Sequence, residues 1–463
     1  MVNRILSFAA ASFLFLIVAV PAEALDIERV VSPGGIEAWL VEEHQVPMIV
    51  MKAAWRGGAA YDPKDKQGLA NMVSGLLDEG AGNMGSQTYQ KALDDNAVKL
   101  GFDAGRDHFS ATLKTLAGRR DEAFRLFALA IGKPRFDEQA VERIRAQILT
   151  NLSQKKENPN WLAGRAWFET AFGEHPYARP TDGTPQTVKA ITQADLKGFV
   201  KHVLARDNLK IAVVGPITPE ELGPMLDEAF GDLPEHADLP QLPDVTIATK
   251  KKPVVVEKPY PQSVVMFGMP GIKRDDPDFI PAYVMNYVLG GGSFSSRLME
   301  EVRVKRGLVY SVYSTLYPLD HAGFFFGQLG TKNKTVGVSL KIVREQLERM
   351  AKSGVTPDEL KDAKTYLTGS YPLRFDSNSS IANQLLGIQL EGLGIDYVDK
   401  RNGMVEAVTR DDVQRAAKRI LGSGKWLVAV VGQPDLSEDV PAEGDMKPEG
   451  EAPRHGDIGG GLN

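Results

Sequence analysis

The chain has 463 residues, 43% of them hydrophobic, enough to bury extensive cores without covalent cross-links. It contains no cysteine, which excludes thiol nucleophiles, disulfides and Cys-ligated zinc. A net charge of -6 is mild for this length and argues against a nucleic-acid partner.

The chain opens with Met1-Val2-Asn3-Arg4, an apolar run over 5–20, and Pro21-Ala22-Glu23-Ala24. A basic start, an apolar centre and a small-x-small exit predict a secretory signal peptide over 1–24 and hence a periplasmic protein. The run is shorter than the roughly 20 residues of a membrane span, and no later segment is long and apolar, so no span is expected after cleavage.

Strand-like alternation follows at Ile36–Val41 and Met48–Trp55, then helical periodicity over 120–133 and 137–156. Thr192-Gln193-Ala194-Asp195 leads through a helical pattern to the apolar strand ending at Gly215. Thr409-Arg410-Asp411-Asp412 leads in the same way to Gly432, and both pairs of landmarks are separated by 217 residues. In each copy Thr is an N-cap with an acid three residues on, a capping-box variant. Register held from cap to strand end indicates a duplication.

The second copy also begins with strand patterns, at 254–257 and 263–268, before helical segments at 277–289, 336–352 and 357–370. Strands framing runs of helices predict an α+β layer in each half. The expected organisation is a domain over 25–231, a Pro- and charge-rich linker over 232–252, a second domain over 253–434 and a disordered tail over 435–463. Lys250-Lys251-Lys252 reads as a solvated linker edge.

Several motifs carry a family likeness. They are Gly57-Gly58-Ala59-Ala60-Tyr61-Asp62-Pro63, Gly68-Leu69-Ala70 and Glu174-His175-Pro176-Tyr177 in the first half. In the second half they are Leu289-Gly290-Gly291-Gly292-Ser293-Phe294-Ser295-Ser296-Arg297-Leu298 and the block from Glu301 to Ser311. Together with the duplication, they resemble the pitrilysin/insulinase metallopeptidases over residues 26–434. The resemblance implies two tandem homologous α+β domains, each an antiparallel sheet with helices packed on it, forming half of a clamshell chamber that a second chain completes.

In active members of that family an H-x-x-E-H helix supplies two zinc-binding His residues and a general-base Glu. The corresponding frame here, Gln67 to Gly80, carries Asn71, Ser74 and Gly75 at those positions. The family's third ligand, a Glu on a later helix, falls on Asn151. Asn is a weak neutral ligand and Gly offers no side chain, so the resemblance implies no metal and no autonomous catalysis in this chain. Asp78 and Glu79 lie nearby, but carboxylates without imidazole suit a harder cation than zinc, and a solvated helix end accounts for them. The seven histidines are scattered without a pair at ligand spacing, and His175 reads as structural.

The family's substrate clamp is an Arg and a Tyr seven positions apart, a spacing matched by Arg303 and Tyr310. Guanidinium and phenol donors suit a peptide carbonyl or its developing oxyanion. Taken alone these residues fit a surface ion pair and a packed ring equally well, and Arg306 competes with Arg303; the surrounding pattern favours the clamp at Arg303. Gly290-Gly291-Gly292 lacks the residues of a phosphate loop and reads as a flexible loop beside the peptide-binding wall.

The resulting expectation is a non-catalytic, substrate-binding subunit of a periplasmic zinc metallopeptidase heterodimer that degrades peptides. Its partner is a homologous two-domain chain that carries the zinc. The alternative is a non-hydrolytic homodimeric binding or scaffold protein of the same fold.

Overall fold

The computed structural model describes residues 25–439. The signal-peptide expectation over 1–24 lies outside the described residues, as does the tail beyond Asp439. The first half contains β1 (Glu28–Val31), β2 (Glu37–Glu42), β3 (Met48–Arg56), a small ribbon of β4 (Gly80–Ala81) and β5 (Met84–Gly85), β6 (Lys99–Ala104), β7 (His108–Leu116) and β8 (Leu209–Gly215). Six of these form one sheet in the order β1-β2-β8-β3-β7-β6. The second half contains β9 (Val254–Glu257), β10 (Gln262–Pro270), β11 (Val309–Leu319), β12 (Ala322–Lys332) and β13 (Leu427–Gly432), ordered β11-β12-β10-β13-β9.

Read from its β9 edge, the second sheet repeats the order β2-β8-β3-β7-β6 of the first. The duplication extends to detail. Thr192 and Thr409 both close capping boxes, with Asp195 and Asp412 as the reciprocal acceptors. Gly215 and Gly432 end the repeated strands at φ of 149° and 142°, a left-handed region that favours glycine.

The expected α+β class with two tandem related domains is what the chain adopts. One detail differs: each sheet is mixed, because β8 runs parallel to β2 and β13 runs parallel to β9. The strand returning from the capped helix enters the middle of its sheet instead of adding at an edge, which makes one pair parallel.

Each sheet packs one face on helices of its own half. In the first, Trp55, Phe109, Phe127 and Phe230 interlock at the centre of that core. The opposite faces are covered by exchange. The helix Pro159–Phe172 of the first half lays Trp167, Phe168 and Phe172 against Met266, Phe324 and Phe326 of the second sheet. The helix Asn378–Leu390 of the second half lays Ile381, Leu385 and Leu386 against Trp39, Val50 and Val214 of the first sheet. Burying a large apolar side chain contributes roughly 1.5–3 kcal/mol. These six together therefore rival the net stability of a whole domain, roughly 5–15 kcal/mol.

The segment expected as a linker, 232–252, contains no helix or strand, yet it is an ordered strap. The Val245 N–H donates to the His321 carbonyl, Ala248 to Ala171, and Lys250 to Trp426, while Ile247 is buried. At the other end, Asp435 exchanges backbone hydrogen bonds with Gly337 and Asn333, so the chain stays docked just past the expected boundary at 434.

Candidate functional site

The helix Leu69–Ser74 is held from its N-terminal end. The buried Asp62 carboxylate accepts hydrogen bonds from the Gly68 N–H (2.8 Å) and the Ala70 N–H (3.0 Å), satisfying donors that the helix start leaves open. Gly68, at φ 91°, meets Gly183 backbone to backbone: a Cβ on Gly68 would lie 2.6 Å from the Asp182 carbonyl oxygen. That approach presses the turn carrying Asp182 against the helix start. The helix ends after six residues, where the Ser74 hydroxyl donates to the Asn71 carbonyl (2.8 Å) and Gly75 forms the cap.

Asn71, Ser74 and Gly75 face Gln147, Asn151 and Lys155 of the helix Glu138–Lys155 across a cavity of about 330 Å³. The four positions singled out in the sequence thus share one site. The Gln147 side-chain amide donates to the Asn151 Oδ1 (2.9 Å), which occupies that acceptor. Lys155, one turn beyond Asn151, forms an ion pair with Asp182 at the same cavity. Sequence reasoning missed both residues; the i+4 spacing from Asn151 was the available signal for Lys155.

Zinc does not fit this donor set. Two carboxamides, a hydroxyl already spent on a helix carbonyl and a glycine offer no anionic or imidazole ligand, and Lys155 places an ammonium on the cavity wall. Asp78 and Glu79 do not line the cavity. Glu79 is taken by Arg143 and the Ser86 hydroxyl, and Asp78 receives the Gln90 amide. Among the described residues no three His, Cys, Asp or Glu side chains are grouped to hold a metal.

Strand β6 forms the edge of the first sheet, and its Phe102 lines the same cavity. Its outer backbone groups are unpaired in the sheet, so an extended peptide could add there beside Asn71 and Asn151.

The second constellation lies on the other half. Tyr310 sits at a β-bulge, where the β11–β12 register shifts between Val309 and Ser311, a distortion that re-aims a side chain. Arg303 lies in the helical turn Met299–Val304 that precedes it, with its guanidinium 4.8 Å from the ring centre of Phe294. Phe294 is 60% exposed and follows Ser293, which holds the left-handed φ of 51°. Arg306 is engaged otherwise: it donates to the carbonyl of Glu301 (2.6 Å) and to its carboxylate (2.8 Å). Neither Arg303 nor Tyr310 lines the Asn71 cavity.

Two further sequence expectations meet local detail. His175 caps a short turn: its Nδ1 accepts from the Tyr177 N–H (3.2 Å) while its Nε2 contacts the Pro243 carbonyl (3.0 Å). The expected flexible loop at Gly290-Gly291-Gly292 is instead a wide helical turn, Tyr287–Gly291, packed on β11. A Cβ at Gly290 would lie 2.3 Å from the Ser314 hydroxyl oxygen, so that glycine serves close packing. Arg297, in the same block, is buried and grips Glu359 through two hydrogen bonds of 2.7 and 2.6 Å.

Residues 54–185 match the model of the insulinase family, peptidase family M16, and residues 190–367 match the peptidase M16 inactive domain. The chain belongs to peptidase family M16, with two domains, as the sequence motifs imply. A "non-peptidase homolog YmxG" of Helicobacter pylori is 32% identical over 361 residues, spanning 77% of this chain and 82% of that one. An uncharacterized zinc protease of Mycobacterium bovis is 25% identical over 430 residues, 91% of this chain and 97% of the relative. The crystal structure of a peptidase M16 inactive domain from Pseudomonas fluorescens superposes with a TM-score of 0.83 at 30% identity, covering 90% of this chain and 99% of that one.

Proposed function

We propose that this chain is the non-catalytic, substrate-binding subunit of a periplasmic zinc metallopeptidase heterodimer that degrades peptides. The observation that carries the reading is the pairing of an intact cavity wall, stripped of metal donors at Asn71, Ser74, Gly75 and Asn151, with Arg303 and Tyr310 presented on the other half. The chain grips an extended backbone along β6 and offers Arg303 and Tyr310 to a site on a homologous partner. That partner supplies zinc and the general base, and any bond cleavage is its work. The Helicobacter pylori relative, described as a non-peptidase homologue, supports the absence of autonomous hydrolysis.

The test is to mix the purified chain with a zinc-bearing two-domain homologue from the same source and follow cleavage of an unfolded polypeptide. Hydrolysis well above that of either chain alone supports the proposal, and unchanged hydrolysis overturns it. The second reading, a homodimeric binding or scaffold protein, draws on the same description of that relative. It is favoured if light scattering gives twice the chain mass and the mixture gains no activity.

A further inference from the structure

A second cavity, of about 340 Å³, lies beneath the root of the exchanged helix Asn378–Leu390, between it and the helix Phe279–Asn286. Its charged lining comprises Arg274, Arg374 and Arg401, against one carboxylate, Glu391, whose carboxyl burial pushes up and the Arg274 guanidinium partly holds down. Arg401 is only 4% exposed. Among the described residues none of the three arginines forms an ion pair. Arg401 donates to the Leu367 carbonyl (2.6 Å), the Asn402 Oδ1 (2.9 Å) and, at 3.4 Å, the Tyr283 hydroxyl, which Arg374 also reaches at 3.4 Å; Arg274 donates to the Tyr397 hydroxyl (2.7 Å).

Aromatic rings hold the guanidinium planes in place of carboxylates. Arg401 lies 4.4 Å from the Tyr371 ring centre, and Arg274 lies 4.3 Å from that of Phe279. Stacking fixes a guanidinium by its face and leaves N–H edges for an in-plane acceptor. Tyr371, itself 6% exposed, contributes to the cavity wall, and its hydroxyl, shielded from solvent behind it, has no hydrogen-bond partner among the described residues. A buried hydroxyl left unpaired beside an uncompensated buried cation is costly in an empty site and favourable in one that receives an anion.

From the three unpaired arginines and the orphaned Tyr371 hydroxyl, we infer that this cavity binds a small organic oxyanion, a carboxylate or a phosphoryl group on a compact body. At about 30 Å³ per water-sized unit, its volume suits a ligand of about a dozen non-hydrogen atoms. Arg374 stands exposed at the mouth, Arg274 is half-buried and Arg401 is deepest, so the anion descends a graded positive field. This inference is independent of the peptidase-subunit reading, because none of the residues belongs to the Asn71 cavity or to the Arg303–Tyr310 pair.

The experiment is calorimetric titration of the full chain with phenyl phosphate, with benzoylglycine, and with uncharged benzoylglycinamide as a control. Binding of one or both anions with a Kd below about 10 mM, and of the amide at least about tenfold more weakly, is expected. Phenyl phosphate alone identifies a phosphoryl ligand, and benzoylglycine alone a carboxylate. Arg274→Gln and Arg374→Gln should each weaken binding about tenfold. Tyr371→Phe should weaken it severalfold while leaving the melting temperature of the free protein unchanged or raised, since it removes an unpaired buried hydroxyl. No anion binding by the unaltered chain, equal binding of the amide, or unchanged binding by a folded R274Q/R374Q variant overturns the inference.

Discussion

Trp167, on a helix of the first half, donates its indole N–H to the backbone carbonyl of Leu427 in the sheet of the second half, at 3.3 Å. The second half answers in kind, with the Gln389 amide donating to the Ile211 carbonyl at 2.9 Å. Leu427 and Ile211 lie on the repeated strands β13 and β8, one residue apart in the register of the repeat, so the exchange of helices is pinned to the corresponding strand of each sheet. Trp167 is fully buried among Phe168, Phe324 and Phe326. Trp167→Ala should lower stability by about 3–5 kcal/mol, seen as a shifted midpoint in urea denaturation.

Installing Asn71→His, Gly75→His and Asn151→Glu supplies three zinc donors in the family's frame. Gly75 has little room: a Cβ there would sit 3.2 Å from the Ile144 Cγ2, so that side chain must yield slightly. The larger obstacle is the Lys155 ammonium at the same cavity. Adding Lys155→Met should tighten zinc binding about tenfold over the three-residue variant, as measured by competition with a chromophoric chelator. Equal affinities would show that the ammonium does not reach the metal position.

Stability should fall as pH rises from about 4 to about 7. Burial pushes the Asp62 carboxyl up to about 7, despite the two backbone N–H donors that favour its charged form. The folded chain therefore keeps a proton that the unfolded chain has lost. The stabilisation is fully present below pH 4 or so, the ordinary carboxylate range, and is lost as pH rises to about 7. Asp107, raised by burial and by neighbouring Asp320, adds to the effect with the same sign. Asp62→Asn should flatten the slope between about pH 4 and 7, measured as urea midpoints across the range.

Arg303 and Arg306 separate cleanly by experiment. Arg306 is tied to Glu301, whose carboxyl is held down by Lys305 and Arg306, whereas Arg303 rests on an exposed ring. In the mixed peptidase assay, Arg303→Ala and Tyr310→Phe should each lower kcat/KM about tenfold or more, and Arg306→Ala less than about twofold. Co-elution of the two chains should be unaffected by all three. The opposite ranking would move the clamp to Arg306.

Arg297 illustrates a motif residue that serves packing. Its buried guanidinium joins Glu359 at one helix start and the Gly354 carbonyl before it. Arg297→Ala leaves Glu359 unpaired and should cost about 3 kcal/mol, read from the thermal midpoint together with loss of the Glu359 capping geometry.

Much of the architecture was legible in the chain. The capped Thr192 and Thr409 helices, the strands closed by Gly215 and Gly432, and the long helices all follow from local periodicity and caps, which act within a few residues. The exchange of Pro159–Phe172 and Asn378–Leu390 was not legible, since an apolar helix face does not say which sheet it covers. The parallel pairs escaped for a similar reason, because strand order is a long-range choice. At the candidate site, helical period sets Asn71, Ser74 and Gly75 on one face, whereas Asn151, on another helix, was joined to them only by the family resemblance. Lys155 and Asp182 come from separate segments that tertiary packing brings together, and the Arg274–Arg374–Arg401 cavity joins elements that no local pattern links.

Asn71, Ser74 and Gly75 are half-exposed and Asn151 is exposed, and none belongs to the apolar clusters that hold the sheets and helices together. Over generations, the chemistry written at such a wall can be erased letter by letter while the mould that shaped it stands.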